Sequence, residues 1–214
     1  MSQILIIGAG DHGISVTESI LASGHTLIGY WDESRAGGHL LGRRVVGLIP
    51  PGHLESGGQL VMAIGDNSGR ERTRLTMFKQ VPDSSFPAIV HPSASVSRFA
   101  TIGAGTVVLQ GAIVGSGARV GSFCIINTAS SLDHGGDLAD FSSLAPGVVT
   151  GGNVRVGTRT AVGIGCIIKH GLSIGNDTVI GGGSYVHCDI PDHVVAFGTP
   201  AKVTRKRDGS DTYL

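Results

Sequence analysis

An aliphatic residue recurs at every sixth position between Val90 and Val186, and this spacing constrains the fold more than any other feature of the chain. Sixteen of the seventeen positions hold Val, Ile or Leu, and only Thr150 departs from the pattern. Four residues after each of them comes a second series of mostly small residues. A fixed short period is typical of a solenoid, and six residues are too few for a helical repeat. The period therefore predicts short strands joined by tight corners, three strands to a coil.

The unbroken series predicts a triangular parallel β-helix. The seventeen repeats make between five and six coils at three to a coil. Aliphatic side chains would fill its core, small residues would let the chain turn inward, and Gly would tolerate corner conformations that strain other residues. Gly follows the residue at the periodic position in eight of the seventeen repeats. No insertion interrupts the series, so we expect no long loop to leave the β-helix.

The first ninety residues lack this period and alternate between strand-like and helix-like segments. Strands are predicted over residues 4–10, 25–33, 59–67 and 86–92, and helices over residues 13–23 and 68–80, the second capped by Ser68. Such alternation predicts a small parallel sheet with helices on its faces. We therefore expect a Rossmann-like α/β domain over residues 1–85 and a β-helix domain with a C-terminal tail over residues 86–214.

The segment GAGDHG, residues 8–13, matches a dinucleotide-binding fingerprint between a predicted strand and a predicted helix. A helix N-terminus offers unpaired amides to phosphate, and Asp32, about twenty residues later, is placed to bind ribose hydroxyls. A nicotinamide dehydrogenase is disfavoured because the domain is about half the usual length and lacks a second nucleotide-binding half. A nucleotide-linked metabolite fits better, and a Gly-rich turn without a ligand remains an alternative.

Composition excludes several other classes of function. The formal net charge is zero, so there is no electrostatic case for a nucleic acid partner. Met1 leads directly into a strand-like run and no apolar stretch reaches membrane-spanning length, so we expect a cytoplasmic protein. Cys124 and Cys166 occupy the small inward positions of their repeats, which predicts packing roles. Together with Cys188 they form an odd set without a CxxC motif, as in a reduced compartment.

The two halves together resemble the sialic acid O-acetyltransferase type of sugar O- and N-acetyltransferases, which includes the bacterial enzymes that acetylate nucleotide-linked 4-amino-4,6-dideoxy sugars. The resemblance covers residues 3–205 and lies in GAGDHG, YWDES, AIGDNSGR, IINTASSLDH, the repeats and GTPAK. It implies a left-handed β-helix, a homotrimer, acetyl-CoA as co-substrate in a groove between neighbouring β-helices, no metal, and a role in surface glycan biosynthesis.

The resemblance also implies site residues. The substrate contacts would be Gly10, Asp11, His12, Asp32, Glu33 and Gly65. The acetyl-CoA contacts would be Ser143, Gly152, Ile164 and Gly182, with the GTPAK segment close to the adenine end.

His134 is the predicted general base for direct transfer from acetyl-CoA to a sugar amine. It occupies the third place of its repeat, between two inward positions, so its ring should point outward to a groove. Many relatives carry an acidic residue next, where this chain has Gly135. We expect Asp133 to lie on a different side of the corner, which leaves Asp137, Asp140 or a neighbouring subunit as partner. A weaker base favours N-acetylation, and sugar O-acetylation is the alternative.

Two rival functions remain on the same β-helix. A zinc site of the γ-carbonic anhydrase type would need several His ligands. His134 and His170 are expected on the same side two coils apart, roughly 10 Å, which is too far for one zinc ion within a chain. The other rival is a non-enzymatic scaffold, which would bind neither acetyl-CoA nor a nucleotide sugar.

Overall fold

The computed structural model describes residues 2–208 and residue 211. The end of the predicted C-terminal tail, residues 209–210 and 212–214, lies outside the described residues. The N-terminal part contains five strands and two α-helices, with single 3₁₀ turns at Glu33–Arg35 and Asp83–Ser85. These elements are β1 (Gln3–Ile7), α1 (Asp11–Ala22), β2 (Thr26–Trp31), β3 (His39–Leu40), β4 (Arg43–Val46), β5 (Gln59–Met62) and α2 (Asn67–Thr76).

The N-terminal sheet has the strand order β3-β4-β2-β1-β5, with β4, β2, β1 and β5 parallel and β3 antiparallel to β4. The predicted alternation of strands and helices is confirmed, but the short β3–β4 hairpin was missed. The predicted cap of the second helix was wrong. Helix α2 begins at Asn67 and is capped by Asp66, whose Oδ1 accepts a hydrogen bond of 2.6 Å from the Gly69 amide. Ser68 lies inside the helix, so it cannot hold the N-cap position.

Short strands six residues apart form the rest of the chain up to residue 186, as the period predicts. They are β6 (Ile89–Val90), β7 (Ser95–Val96), β8 (Thr101–Ile102), β9 (Val107–Val108), β10 (Ile113–Val114), β11 (Arg119–Val120), β12 (Ile125–Ile126), β13 (Ser131–Leu132), β14 (Asp137–Leu138), β15 (Ser143–Leu144), β16 (Val149–Thr150), β17 (Arg155–Val156), β18 (Ala161–Val162), β19 (Ile167–Ile168), β20 (Ser173–Ile174), β21 (Val179–Ile180) and β22 (Tyr185–Val186).

Every third strand belongs to the same sheet, so the coils form a triangular parallel β-helix. The first face contains β6, β9, β12, β15, β18 and β21; the second contains β7, β10, β13, β16, β19 and β22; the third contains β8, β11, β14, β17 and β20. Paired residues are one coil apart in sequence, as in the pairing of Ile113 with Ser131. Past the last coil, the hairpin of β23 (Val194–Gly198) and β24 (Ala201–Lys206) extends the first face.

The β-helix core consists of the predicted inward positions. The aliphatic side chains from Val108 to Val186 are buried, and Thr150 is buried with them. Each fully buried Val, Leu or Ile side chain stabilises the fold by about 1.5–3 kcal/mol. Cys124 and Cys166 are also buried, so their predicted packing role is confirmed. Burial raises the pKa of the Cys124 thiol to about 11 and also raises that of Cys166, which makes both poor nucleophiles.

The N-terminal domain packs against the early coils of the first face. Val107 and Ile125, which point outward from β9 and β12, belong to the same buried apolar cluster as Val16 and Ile20 of α1. The aromatic rings of Phe78, Phe86, Phe123 and Phe141 continue this contact across the corner between the third and first faces. The later coils of the first face are left open to a pocket.

Candidate active site

A pocket of about 430 Å³ lies where the first face of the β-helix meets the N-terminal domain. Its wall is mostly apolar and continues around the corner between the first and second faces. It brings together five of the residues predicted to bind substrate or cofactor. These are His12, Gly65, Ser143, Ile164 and Gly182. Both predicted halves of the site, the one on the N-terminal domain and the one on the β-helix, thus contribute to one cavity.

The Gly-rich turn between β1 and α1 lies tightly against the end of β5. Gly8 has a φ of +103°, and a Cβ there would stand 2.9 Å from the Ala63 carbonyl oxygen, so only glycine fits without displacing the backbone. Gly10 is the N-cap of α1 and Asp11 its first helical residue. Neither Gly10 nor Asp11 is among the residues that line the pocket.

Asp32 ties this turn to the end of β2. Its Oδ2 accepts a hydrogen bond of 3.0 Å from the Ala9 amide, and its Oδ1 accepts bonds of 3.0 and 2.7 Å from the Ser34 amide and hydroxyl. Burial raises the pKa of Asp32, but the bonds from Ser34 and Ala9 and the charge of Arg35 outweigh it, so the pKa is lowered overall. Asp32 and the exposed Glu33 lie outside the pocket wall, and their role as substrate contacts stays a prediction.

The imidazole of His12 lies half-buried in the pocket wall and is neutral near pH 7. Burial and, to a smaller extent, the nearby charge of Arg70 together lower its pKa to about 4. Within the part of the chain that the structure describes, the buried Nε2 of His12 has no hydrogen-bond partner. Unpaired buried polar atoms are rare in folded proteins because they cost free energy. His12 is therefore suited to hydrogen bonding with a ligand or water that reaches this wall.

His134 points outward from the corner between the second and third faces, as predicted. Its side chain is 63% exposed, and its Nδ1 lies 3.1 Å from Oδ1 of Asp133. The same Oδ1 accepts a bond of 2.6 Å from the His134 backbone amide. Both bonds lower the pKa of Asp133, so this carboxylate stays charged.

The expectation that Asp133 lies on a different side of the corner was wrong. Its carboxylate folds back over the next amide, as Asp side chains do in tight turns, and there it also meets the ring. The other proposed partners are engaged elsewhere within the protomer. Asp137 pairs with Arg119 at 2.7 Å, and Asp140 accepts a bond from the Ser122 amide.

Gly152 lies one coil beyond His134, beside its ring. A Cβ at Gly152 would stand 2.3 Å from both Cε1 and Nε2 of His134. The missing side chain at this position therefore makes room for the imidazole. Gly152 was predicted as an acetyl-CoA contact, which stays a prediction, and the structure places it where it shapes the surroundings of the proposed base.

Within one chain, the structure does not bring His134 to the pocket. The pocket lies on the first face and its corner with the second face, whereas His134 lies at the far corner of the second face. Between the two corners the second face presents a column of exposed apolar side chains. These are Ile113, Val149, Ile167 and Tyr185.

The GTPAK segment forms the turn of the β23–β24 hairpin, beside the last pocket-lining corner. The Gly198 amide donates a hydrogen bond of 3.1 Å to Ser184, and the Thr199 hydroxyl donates one of 3.3 Å to the Gly183 carbonyl. This turn therefore lies next to Gly182, a predicted acetyl-CoA contact that lines the pocket.

Three features of the site were missed from the sequence. Asn127 lines the pocket but was not among the predicted site residues; the available signal was an amide directly after an inward repeat position. Asp133 is the partner of His134, and its adjacency in sequence was the signal. Arg70 is buried between the two domains, with no periodic pattern to mark it.

The described residues hold no candidate for either of two other kinds of site. Among residues 2–208 and 211, no group of three His, Cys, Asp or Glu side chains is placed to hold a metal ion. No helix in the described part of the chain has the length and apolar character needed to cross a bilayer.

Residues 3–74 match the family model of the PglD N-terminal domain. Over almost its full length, the chain is similar to a histidine variant of perosamine N-acetyltransferase from Caulobacter crescentus, solved in complex with CoA and GDP-perosamine. The two are 34% identical, with a TM-score of 0.87, and the match covers 96% of this chain and 98% of that one.

The chain is also similar to the acetyltransferase domain of PglB from Neisseria gonorrhoeae FA1090, solved in complex with acetyl coenzyme A. The identity is 31%, the TM-score 0.85, and the match covers 94% of this chain and 98% of that one. A curated relative, galactoside O-acetyltransferase from Lactococcus lactis, is 56% identical over 50 residues. That match spans 23% of this chain and only 24% of the relative's length.

Proposed function

This chain belongs to the hexapeptide-repeat N-acetyltransferases of nucleotide-linked amino sugars, and from that membership we propose that it transfers the acetyl group of acetyl-CoA to the amino group of a nucleotide-linked 4-amino-4,6-dideoxy sugar. The observation that carries the proposal is the full-length similarity to an enzyme that binds CoA and GDP-perosamine. The pocket supports it, because residues from the nucleotide-binding type of domain and from the β-helix share one cavity.

The complete site is formed between two protomers of a homotrimer. His134 and the pocket lie at opposite edges of the second face, so one chain alone does not join them. The exposed apolar column of that face, with Ile167 53% exposed, is the surface that a neighbouring β-helix would cover. Association through this face places the His134 corner of one protomer beside the pocket corner of the next.

The transfer is direct, with His134 as general base. The Asp133 carboxylate faces Nδ1, so Nδ1 carries the proton and Nε2 is free to accept one. The sugar nitrogen attacks the thioester carbon, the C–N bond forms, and the C–S bond breaks. Nε2 takes a proton from the nitrogen and returns it to the departing CoA sulfur. Neither Cys124 nor Cys166 is needed as a nucleophile, since both are buried with raised pKa values.

Sugar O-acetylation is the second candidate, and two observations bear on it. The galactoside O-acetyltransferase match favours it but covers 50 residues only. One argument against O-acetylation was that His134 lacks a carboxylate partner. The contact between Asp133 and His134 removes that argument. The preference for N-acetylation now rests on the full-length similarity to perosamine N-acetyltransferase.

A substrate panel tests the proposal. Purified protein is given acetyl-CoA and UDP-, dTDP- or GDP-linked 4-amino-4,6-dideoxy sugars, each beside its 4-hydroxy counterpart, and free CoA thiol is measured. We expect CoA release with at least one amino sugar and much less with the matched hydroxy sugar. Release only with hydroxy sugars would establish O-acetylation instead, and no release with any acceptor would overturn both assignments.

A further inference from the structure

Helix α2 of the N-terminal domain bonds to three successive coils of the β-helix. Phe123, Phe141 and Arg159 occupy equivalent corners between the third and first faces, with φ values of +55°, +57° and +56°. Their carbonyls accept hydrogen bonds from α2. Arg70 Nε donates to Phe123 at 2.7 Å, Arg70 Nη2 donates to Phe141 at 2.9 Å, and Asn67 Nδ2 donates to Arg159 at 3.3 Å.

The same guanidinium also holds the pocket wall. Arg70 Nη1 donates to the carbonyl oxygens of Ile64 and Gly65, at 2.8 and 3.1 Å. Gly65 lines the pocket together with His12. Arg70 therefore links the wall of the proposed nucleotide-sugar site to two coils of the β-helix through one rigid, planar group.

We propose that Arg70 is a positioning residue, which fixes the nucleotide-sugar wall of the pocket relative to the β-helix that holds acetyl-CoA. The proposal rests on the proposed function, because the two sides of the pocket are assigned to two substrates there. Arg70 touches neither substrate in this scheme and acts through the Ile64–Gly65 backbone. Displacement of that wall should weaken the acceptor sugar and leave acetyl-CoA binding intact.

The geometry requires arginine rather than a cation in general. Arg70 is 1% exposed, and its bonds to Phe123, Phe141, Ile64 and Gly65 leave in different directions. A guanidinium offers five N–H donors in a fixed fork, whereas an ammonium offers three on a flexible stem. Lysine at this position keeps the charge but cannot make the same set of bonds. The effect of the positive charge can therefore be separated by mutation from the effect of the hydrogen bonds.

Arg70→Lys and Arg70→Gln test the proposal, with Arg72→Gln on the exposed side of α2 as matched control. For Arg70→Lys we expect kcat/KM for the sugar nucleotide to fall about tenfold or more, mainly through KM, with the KM for acetyl-CoA unchanged within about twofold. A general loss of folded enzyme would instead lower kcat and leave both KM values as they are. That result, or wild-type kinetics in Arg70→Lys, would overturn the proposal.

The titration of His12, followed by NMR, gives a readout that does not depend on turnover. Burial is the larger cause of the low His12 pKa and the charge of Arg70 the smaller one, so the pKa should stay low in Arg70→Lys and rise only in part in Arg70→Gln. A His12 pKa in Arg70→Gln that is unchanged from the wild type would show that the guanidinium does not lie beside this wall. Should Arg70→Gln fail to fold, Asn67→Ser, which removes the side-chain bonds of Asn67 to Arg70 and to the carbonyls of Arg159 and Thr160, must raise the sugar KM in the same direction.

Failure of this proposal can be told from failure of the proposed function. If the wild type and Arg72→Gln acetylate no sugar, the function is wrong, and calorimetric affinity for GDP, UDP and dTDP replaces KM. Weaker nucleotide binding in Arg70→Lys with acetyl-CoA affinity unchanged would then still support the positioning role. Equal nucleotide affinity in the wild type and Arg70→Lys would contradict the positioning role.

Discussion

The imidazole of His134 lies against Gly152, the equivalent residue of the next coil, at a distance that leaves no room for a Cβ. Two features therefore set the position of the ring. The Asp133 carboxylate binds Nδ1, and the absence of a side chain at Gly152 leaves space for Cε1 and Nε2. Removal of either should lower turnover without changing the β-helix, whose core lies on the other side of the chain.

Gly152→Ala should displace the His134 ring. The added methyl group would stand 2.3 Å from Nε2 in the present arrangement, so the ring must rotate away from it. We expect kcat to fall about tenfold or more, with little change in the thermal midpoint. Steady-state kinetics and thermal unfolding measure both. Ser116→Ala, at the same corner one coil earlier, is the control, and an equal loss in the control would contradict the explanation.

Asp133→Asn should lower kcat about tenfold, and His134→Ala about a hundredfold or more, because the first removes the negative charge that stabilises the protonated ring and the second removes the base. Neither change should alter the affinity for acetyl-CoA measured by calorimetry. His170→Asn, two coils further along the same corner, serves as control. Wild-type turnover in His134→Ala would remove the base from the mechanism.

Stability should decrease as the pH falls from about 6.5 to about 4, partly because of His12. Its pKa is about 4 in the folded protein and 6.5 in the unfolded chain, so the unfolded state binds a proton first as the pH falls. The stabilisation is present above pH 6.5 and lost through this window, and its size is about 3 kcal/mol at about 1.4 kcal/mol per unit. Chemical denaturation of wild type and His12→Asn at pH 7 and pH 4 measures it.

Between pH 7 and pH 4, the free energy of unfolding of His12→Asn should therefore fall by about 3 kcal/mol less than that of the wild type. His39→Asn, which replaces an exposed His of the same domain, should leave the pH dependence of the wild type intact. Parallel pH dependence in the wild type and His12→Asn would show that folding does not lower the pKa of His12.

Ile167→Glu should prevent assembly. This residue lies in the exposed apolar column of the second face, and a carboxylate there would be buried without a partner in the proposed trimer. We expect a folded monomer by analytical ultracentrifugation, with at least a tenfold loss of activity, since His134 would no longer reach a neighbouring pocket. Thr101→Glu on the third face is the control. A monomeric wild type that is fully active would contradict the shared site.

The β-helix was predictable because its period is strict. A side chain at every sixth position faces the core whatever its neighbours are, so even Thr150 could be placed inside. The outward direction of His134 follows from the same counting. The pocket also contains five of the residues that were named from family resemblance.

Features that depend on local turn geometry were not predictable in the same way. The direction of the Asp133 carboxylate is set by a single tight corner, which carries no repeat. The β3–β4 hairpin spans two short strands, too few residues to show alternation. Asp66 and Ser68 are both good cap residues, and only the end point of β5 decides between them.

The contact of α2 with three consecutive layers limits how this architecture can change in length. Insertion or deletion of a layer between Phe123 and Arg159 would displace at least one of the acceptor carbonyls by about 4.8 Å and break the match to the helix. Layers appended beyond Asp177 would touch none of these bonds. Homologues with longer or shorter solenoids should therefore differ at the C-terminal end, while the spacing from α2 to the proposed base stays constant.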